Sequence, residues 1–247
     1  MNMNKLISLA LCLVALLTLL VGCDSEVPSG NLSSLEKVPT STQSETRNTE
    51  ETLQDTTPAE NTSYLGRMEG GIYENTYIGY GCKLDSNWTF ATAEELQDLP
   101  ENTAELFKDT ELEANLAKYT QITDMMAENV NDLTSINILY QKLDLATRAA
   151  FTGLNEDAII DALLEQSETL KSSYAQAGIE VASFEKVKVT FLGEEHTAIL
   201  MTSTMQGVPY YTLQIQDYTL GQYGVTLTLA SYMENKTESL LDLFYAV

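Results

Sequence analysis

The chain has 247 residues and a formal net charge of −23, from 36 acidic and 13 basic side chains. Such an excess of acid is repelled by nucleic acid and by anionic lipid, and the lysines are scattered, so no nucleic-acid partner is expected. A single histidine and three cysteines leave little for a metal centre or a histidine-dependent nucleophile.

The first five residues, MNMNK, carry one Lys and no acid. From Leu6 to Val21 every residue is apolar or small, apart from Ser8 and Thr18. That length suits the hydrophobic region of an export signal and falls short of a membrane span, which needs about 20 residues. The following LVGC resembles the bacterial lipobox, with Leu20 and the small Val21 and Gly22 before Cys23. The resemblance implies cleavage between Gly22 and Cys23 and acylation of the Cys23 thiol. Residues 1–22 are then a lipoprotein signal peptide, and the product sits lipid-anchored on the extracytoplasmic face of a bacterial cell membrane. A diacyl anchor holds stably where a single chain holds only marginally. Cys12 leaves with the signal, so Cys82 is left without a disulfide partner and the domain must stand on its hydrophobic core.

Residues 24–63 change character: fifteen of the forty are Ser or Thr and none is aromatic, too little apolar surface to offset the entropy of ordering. With Cys23 they read as a disordered acidic tether, with a reach of about 35 Å for a flexible coil.

From residue 64 to 247 the pattern is that of an α+β domain, a mainly antiparallel sheet packed with helices. YIGYGCKL alternates, with Ile78, Tyr80, Cys82 and Leu84 on one side, and reads as a strand with one buried face. Thr92 and Glu95 form a T-x-x-E capping box for a helix, and AELFKDTELEANLAKY suggests a second helical stretch. TDMMAEN and LTSINILYQKL read as a strand pair around the turn at NVND. NEDAIIDALLEQSETLKSSYAQAG reads as one helix capped by Asn155 and stopped by Gly178. Glu156 and Asp157 suit its positive end. Its apolar stripe is Ile160, Leu163, Leu170 and Tyr174, broken once at Ser167. Four strands follow, SFEKVKVTFL, EHTAILMTSTM, VPYYTLQIQDY and YGVTLTLAS, joined by turns short enough for antiparallel hairpins. ENKTESLLDLFYAV reads as a closing amphipathic helix through Leu240, Leu241, Leu243 and Phe244.

This order of elements, with GIYENTYIGYGCKLDSNWTFATAEEL at its start, resembles the PsbP-like α/β/α sandwiches, a fold to which several extracytoplasmic lipoproteins of Gram-positive bacteria are similar. Tyr73, Asn75, Tyr77, Gly79, Trp88, Glu94, Glu95 and Leu96 stand at positions of that pattern, over most of residues 70–245. Two positions depart from it: Cys82 replaces an aromatic or aliphatic core residue, and Asp85 replaces a turn proline. The resemblance implies a non-enzymatic domain that binds or organises partner proteins, and it carries over no ligand site.

Chemistry is sparse along the chain. His196, beside Glu194 and Glu195, reads as part of a polar hairpin turn rather than a metal site. The two S-x-x-K matches, Ser34–Lys37 in the tether and Ser183–Lys186 in a strand, lack the helix-start setting of a nucleophilic serine. Cys82 reads as a buried small hydrophobe. No cofactor, metal or catalytic residue is expected. In VPYYTLQIQDY, Tyr211, Leu213 and Ile215 read as core, whereas Tyr210, Thr212, Gln214, Gln216 and Tyr218 form a polar row. Lys186 and Lys188 opposite Val187 and Val189, and Thr226 and Thr228 opposite Val225, Leu227 and Leu229, repeat that division. A thinly covered polar face would let Tyr210, Thr212, Gln214 and Tyr218 receive a protein or peptide partner. The leading expectation is a non-catalytic binding or scaffolding lipoprotein. The alternatives are an assembly or quality-control factor for a membrane protein complex and, more distantly, a cell-wall-active hydrolase. Cys23→Ala is expected to release or misprocess the protein, read by fractionation of membranes. Undiminished membrane association of that variant would mean an uncleaved apolar anchor instead.

Overall fold

The computed structural model describes residues 65–92, 121–143, 145–218 and 223–247. The signal, Cys23, the tether, the Thr92–Glu95 box with Glu94 and Leu96, and the second helical stretch lie outside them, wholly or in part. Short strands come first: β1 (Arg67–Glu69), β2 (Ile72–Asn75), β3 (Tyr80–Lys83) and β4 (Trp88–Phe90). The alternating run expected as one strand is therefore a turn followed by a strand. Asn75 is the reason: its Oδ1 accepts from the backbone N–H of Tyr77 at 2.8 Å and Ile78 at 3.3 Å, closing the chain on itself before β3 begins. Tyr80, Cys82 and Leu84 are buried as expected, while Ile78 stays in the turn, packed against the core. Asp85 likewise makes a turn without proline, its Oδ1 accepting from Asn87 N–H at 2.8 Å.

The longer strands are β5 (Gln121–Asn129), β6 (Thr134–Lys142), β7 (Ile179–Phe191), β8 (Glu194–Met205), β9 (Val208–Asp217) and β10 (Tyr223–Tyr232). Leu192–Gly193 joins β7 to β8 and Gln206–Gly207 joins β8 to β9, with positive φ at both residues of each turn. Two-residue turns of that kind match the twist of an antiparallel pair and fix its register. Lys188 stands opposite Thr197, Leu200 opposite Leu213, and Leu229 opposite Leu213 and Ile136. The resulting seven-stranded sheet has the order β4-β5-β6-β10-β9-β8-β7. After β6 the chain crosses to the far edge and winds back inward until β10 lies beside β6.

The crossover carries three helices, α1 (Leu145–Phe151), α2 (Glu156–Leu164) and α3 (Ser167–Gln176). The expected single helix is two. Asn155 caps it as read, accepting from Ala158 N–H at 2.9 Å, and Gly178 at φ +79° follows the end of α3. Ser167, the one break in the apolar stripe, is where the second piece starts, after Glu165 and Gln166. Ile159, Ile160 and Leu163 of α2 pack on Ile199, and Leu170 and Tyr174 of α3 pack with Met201 and Tyr210.

The other face of the large sheet is covered by a second sheet, of order β1-β2-β3-β11. Its last strand, β11 (Phe244–Ala246), corrects the expected closing helix: Glu238–Leu243 forms a 3₁₀ helix and the chain then extends to pair with β3. Leu240, Leu241 and Phe244 are still buried, as the apolar pattern required. They join Tyr73, Tyr80 and Cys82 against Ile136, Ile138, Leu213 and Leu227 in the principal core. Each such side chain fully buried contributes about 1.5–3 kcal/mol. The described fold is thus α+β and mainly antiparallel, as expected, with helices on one face of the large sheet.

Cys82 is fully covered within that core, and burial pushes its thiol up to about 12, partly offset by a backbone hydrogen bond from Tyr73. A thiol reagent is expected to modify Cys82 only as the domain unfolds, so labelling should track a denaturant transition. Labelling that is complete in native buffer would contradict this packing.

Candidate functional site

Two polar constellations lie between or beside the sheets. The first is interior. Asp124, 1% exposed in β5 at an irregularity between Thr123 and Met125, accepts from the Tyr73 hydroxyl at 2.5 Å and from Asn75 Nδ2 at 2.7 Å. Its other oxygen accepts from Gly66 N–H at 2.9 Å, and Asn75 Nδ2 also reaches the Tyr140 hydroxyl at 2.9 Å. Burial pushes the Asp124 carboxyl up to about 6 against the opposing pull of these donors. These donors come from the first strands and the residue before them, so Asp124 braces the small sheet against the large one.

The second constellation faces solvent. Pairing between β8 and β9 ends at Ala198 and Ile215, which frees the Thr197 N–H from the ladder. Glu156, in the first turn of α2, takes the place of the missing strand: its Oε2 accepts from Thr197 N–H at 2.9 Å and its Oε1 lies 2.7 Å from His196 Nδ1. Its neighbour Asp157 accepts from Thr197 Oγ1 at 2.8 Å and from Lys188 Nζ at 3.1 Å, and those bonds lower its pKa. Lys186 pairs with Asp161 one turn on, at 2.6 Å. The negative residues expected only to suit the helix end thus also fasten it to the sheet.

Beside this clasp a cleft of about 350 Å³ opens at the end of the sandwich. Tyr80, Phe191, Ile215 and Leu227 form apolar walls; Glu156, Glu194, His196 and Asp217 supply the polar groups. Phe191 is held edge-on to both Tyr80 and Phe244, with ring centres 5.3 and 5.5 Å apart, and meets the His196 ring at 5.9 Å. The aromatic trio belongs to the core, so the floor of the cleft is well packed. Because a carboxylate can only accept, His196 carries a proton on Nδ1 toward Glu156. No Ser, Thr or Cys lines this cleft among the described residues, and no three His, Cys, Asp or Glu side chains gather to hold a metal there or elsewhere among them.

The polar row expected to receive a partner is not at the surface. Tyr210, Thr212 and Gln214 are at most 4% exposed, and Gln216 is buried as well. Helix α3 covers Tyr210, Gln214 Nε2 donates to Thr228 Oγ1 at 3.3 Å, and Tyr218 stacks on Phe151 of α1 while donating to Gln216. The alternation was real, but both sides of β9 face interior layers: Leu213 and Ile215 meet the second sheet and the polar row meets the helices. Tyr210 is even more buried than Tyr211, the reverse of the expected division. Lys186 and Lys188 point to the helix side and find the acids of α2. Asp124 and the pairing of His196 with Glu156 were missed by sequence reasoning. An acid set within the apolar run of ITDMMA is the one signal that marked Asp124, whereas nothing local ties residue 156 to residue 196.

The linkage sign at Asp124 follows from its displacement above the ordinary 3.8. Its contribution to stability is fully present below pH 4 and is lost as pH rises through about 6, a change of roughly 3 kcal/mol. Asp124→Asn removes that titration and sets an amide N–H against hydrogen-bond donors. Urea unfolding of both proteins is expected to show the native chain gaining on the variant between pH 7 and pH 4. An equal difference at the two pH values would remove the linkage.

No family model matches the chain, and comparison with the curated proteins finds no match. Among solved structures it is similar to the solution structure of cyanobacterial PsbP (CyanoP) from Synechocystis sp. PCC 6803, at 10% identity and a TM-score of 0.38, over 73% of this chain and 98% of that one. Nothing about the activity or partners of this chain follows from that likeness.

Proposed function

We propose that the chain is a lipid-anchored extracytoplasmic protein of a bacterial membrane whose domain binds a ligand or partner without transforming it. The observation that supports binding is the cleft at the end of the sandwich. It combines apolar walls from Phe191, Ile215 and Leu227 with a polar edge from Glu194, His196 and Asp217, the composition of a recognition site. The lipobox-like LVGC supports the anchor, and the Ser/Thr-rich stretch beyond it supports a domain held clear of the bilayer. An assembly or quality-control factor is the narrower form of the same reading, in which one membrane complex dominates the bound material.

A second reading has one observation in its favour. His196 locked by Glu156 is the orienting half of a general-base arrangement, and a wall-active hydrolase would use its Nε2 to activate water. Release of soluble fragments from purified cell wall, abolished by His196→Gln, would favour hydrolysis over binding.

The test of binding uses the exposed rim. Leu192→Asn with Glu194→Lys leaves the core untouched, and Asn suits the left-handed position of Leu192, so stability should change by no more than about 0.5 kcal/mol. Crosslinking in intact membranes, followed by purification of the full chain, is expected to recover a dominant partner with the native protein and several-fold less with the double variant. Equal recovery would remove the cleft from partner binding.

A further inference from the structure

We infer a second binding site, independent of the cleft, that takes a monocarboxylate on an aliphatic stem, the chemistry of a medium-chain fatty acid. It lies between α1 and α2, where Arg148 and Thr152, with Phe151, Leu154, Ile159 and Tyr218, line a pocket of about 310 Å³. That volume suits a small molecule rather than a folded partner. Charge decides the polar end. Arg148 is the only charged side chain lining the pocket among the described residues, in a chain of net charge −23. It is exposed and forms no ion pair among those residues. The acids of α2 are committed elsewhere: Glu156 to Thr197 and His196, Asp157 to Lys188, and Asp161 to Lys186. A guanidinium is charged throughout the physiological range, and its planar fork matches one carboxylate. One such cation balances one negative charge, which favours a monocarboxylate over a phosphate, and it repels an ammonium.

The apolar end is built without Arg148. Leu154 and Ile159 flank the Asn155 cap of α2 at the positions of a hydrophobic staple, and Leu154 is still left 42% exposed. Phe151 and Tyr218 add a wall of two rings whose centres lie 4.8 Å apart. The Tyr218 ring is wedged in place. A Cβ at position 224 would come within 2.7 Å of it, so Gly224 leaves the ring its room. The Tyr218 hydroxyl donates to Gln216 Oε1 at 2.7 Å, which holds the ring from its other end. The pocket is thus formed before anything enters it, as small-molecule sites commonly are. An aliphatic stem laid along these walls would cover Leu154.

The test is a methyl-detected NMR titration of the full chain with octanoate, with octylammonium and 1-octanol as cationic and neutral counterparts. Saturable shifts are expected at Leu154 and Ile159, with Leu192 and Ile215 in the cleft unmoved. Octanoate should bind at least tenfold tighter than octanol, and octylammonium should leave the spectrum unchanged. From hexanoate to octanoate, affinity should rise about fourfold for each methylene buried. Arg148→Gln, at an exposed position that leaves the fold intact, should weaken octanoate at least tenfold. Arg148→Lys keeps the charge and loses the fork, so its loss should be smaller. Equal affinity for octanol, undiminished binding in Arg148→Gln, or affinity independent of chain length would overturn the assignment. So would shifts that never saturate, or octyl phosphate binding tenfold tighter than octanoate.

Discussion

The carboxylate of Asp124 is the point from which the two sheets take their relative position. It is buried between β5 and the β1–β2 region, and it draws a phenol, a carboxamide and a backbone N–H onto two oxygens. A charge that deep is tolerated only when its lone pairs are filled, and three donors at 2.5 to 2.9 Å fill them. Hydrophobic contact alone would let the small sheet slide over the large one, since apolar attraction has no direction. The hydrogen bonds to Asp124 have direction, and they pin Tyr73 and Asn75 over one point of the seven-stranded sheet.

Once the small sheet is fixed there, the cleft follows. Tyr80 in β3 and Ala246 in β11 come to one wall, and Phe191, Ile215 and Leu227 of the large sheet to the other. At that end the pairing of β9 with β8 stops at Ile215 and Ala198, and the cleft lies beside it. Glu156 closes the helical side by accepting the Thr197 N–H that the departing strand abandons. The cleft is therefore a by-product of how three layers end, with polar groups gathered at its edge.

How much of this was legible depended on the range of the interaction. The hairpins could be read because a two-residue turn and the alternation around it are local, and Asn155 and Gly178 declared the helical limits for the same reason. Even the break at Ser167 stood in the apolar stripe, though it read as a blemish rather than a boundary. What failed was inference about layers. The polar row of Tyr210, Thr212 and Gln214 alternates as a solvated face would, yet helices supplied by the crossover lie on it. Period-two alternation separates two sides of a strand without saying which faces water. Phe244–Ala246 was apolar enough for a helix face, and the edge of β3, 162 residues before Phe244 at Cys82, turned it into a strand. The Tyr-x-Asn-x-Tyr-x-Gly segment did hold structural residues, since Tyr73 and Asn75 donate to Asp124 and Asn75 makes the turn into β3.

The last strand has a consequence for when the domain can form. Phe244 pairs with Cys82, Tyr245 with Gly81 and Ala246 with Tyr80, and Val247 N–H donates to the Gly79 carbonyl at 3.0 Å. The first strands of the domain are thus completed by residues that a ribosome adds only after every strand of the large sheet. Until then β3 has a bare edge and the floor beneath Phe244 lacks its cover. Contacts of such sequence separation are slow to close, and they cannot close at all on a chain still being made. The order of the strands acts as a timer, keeping the domain from finishing its fold before the chain reaches β11.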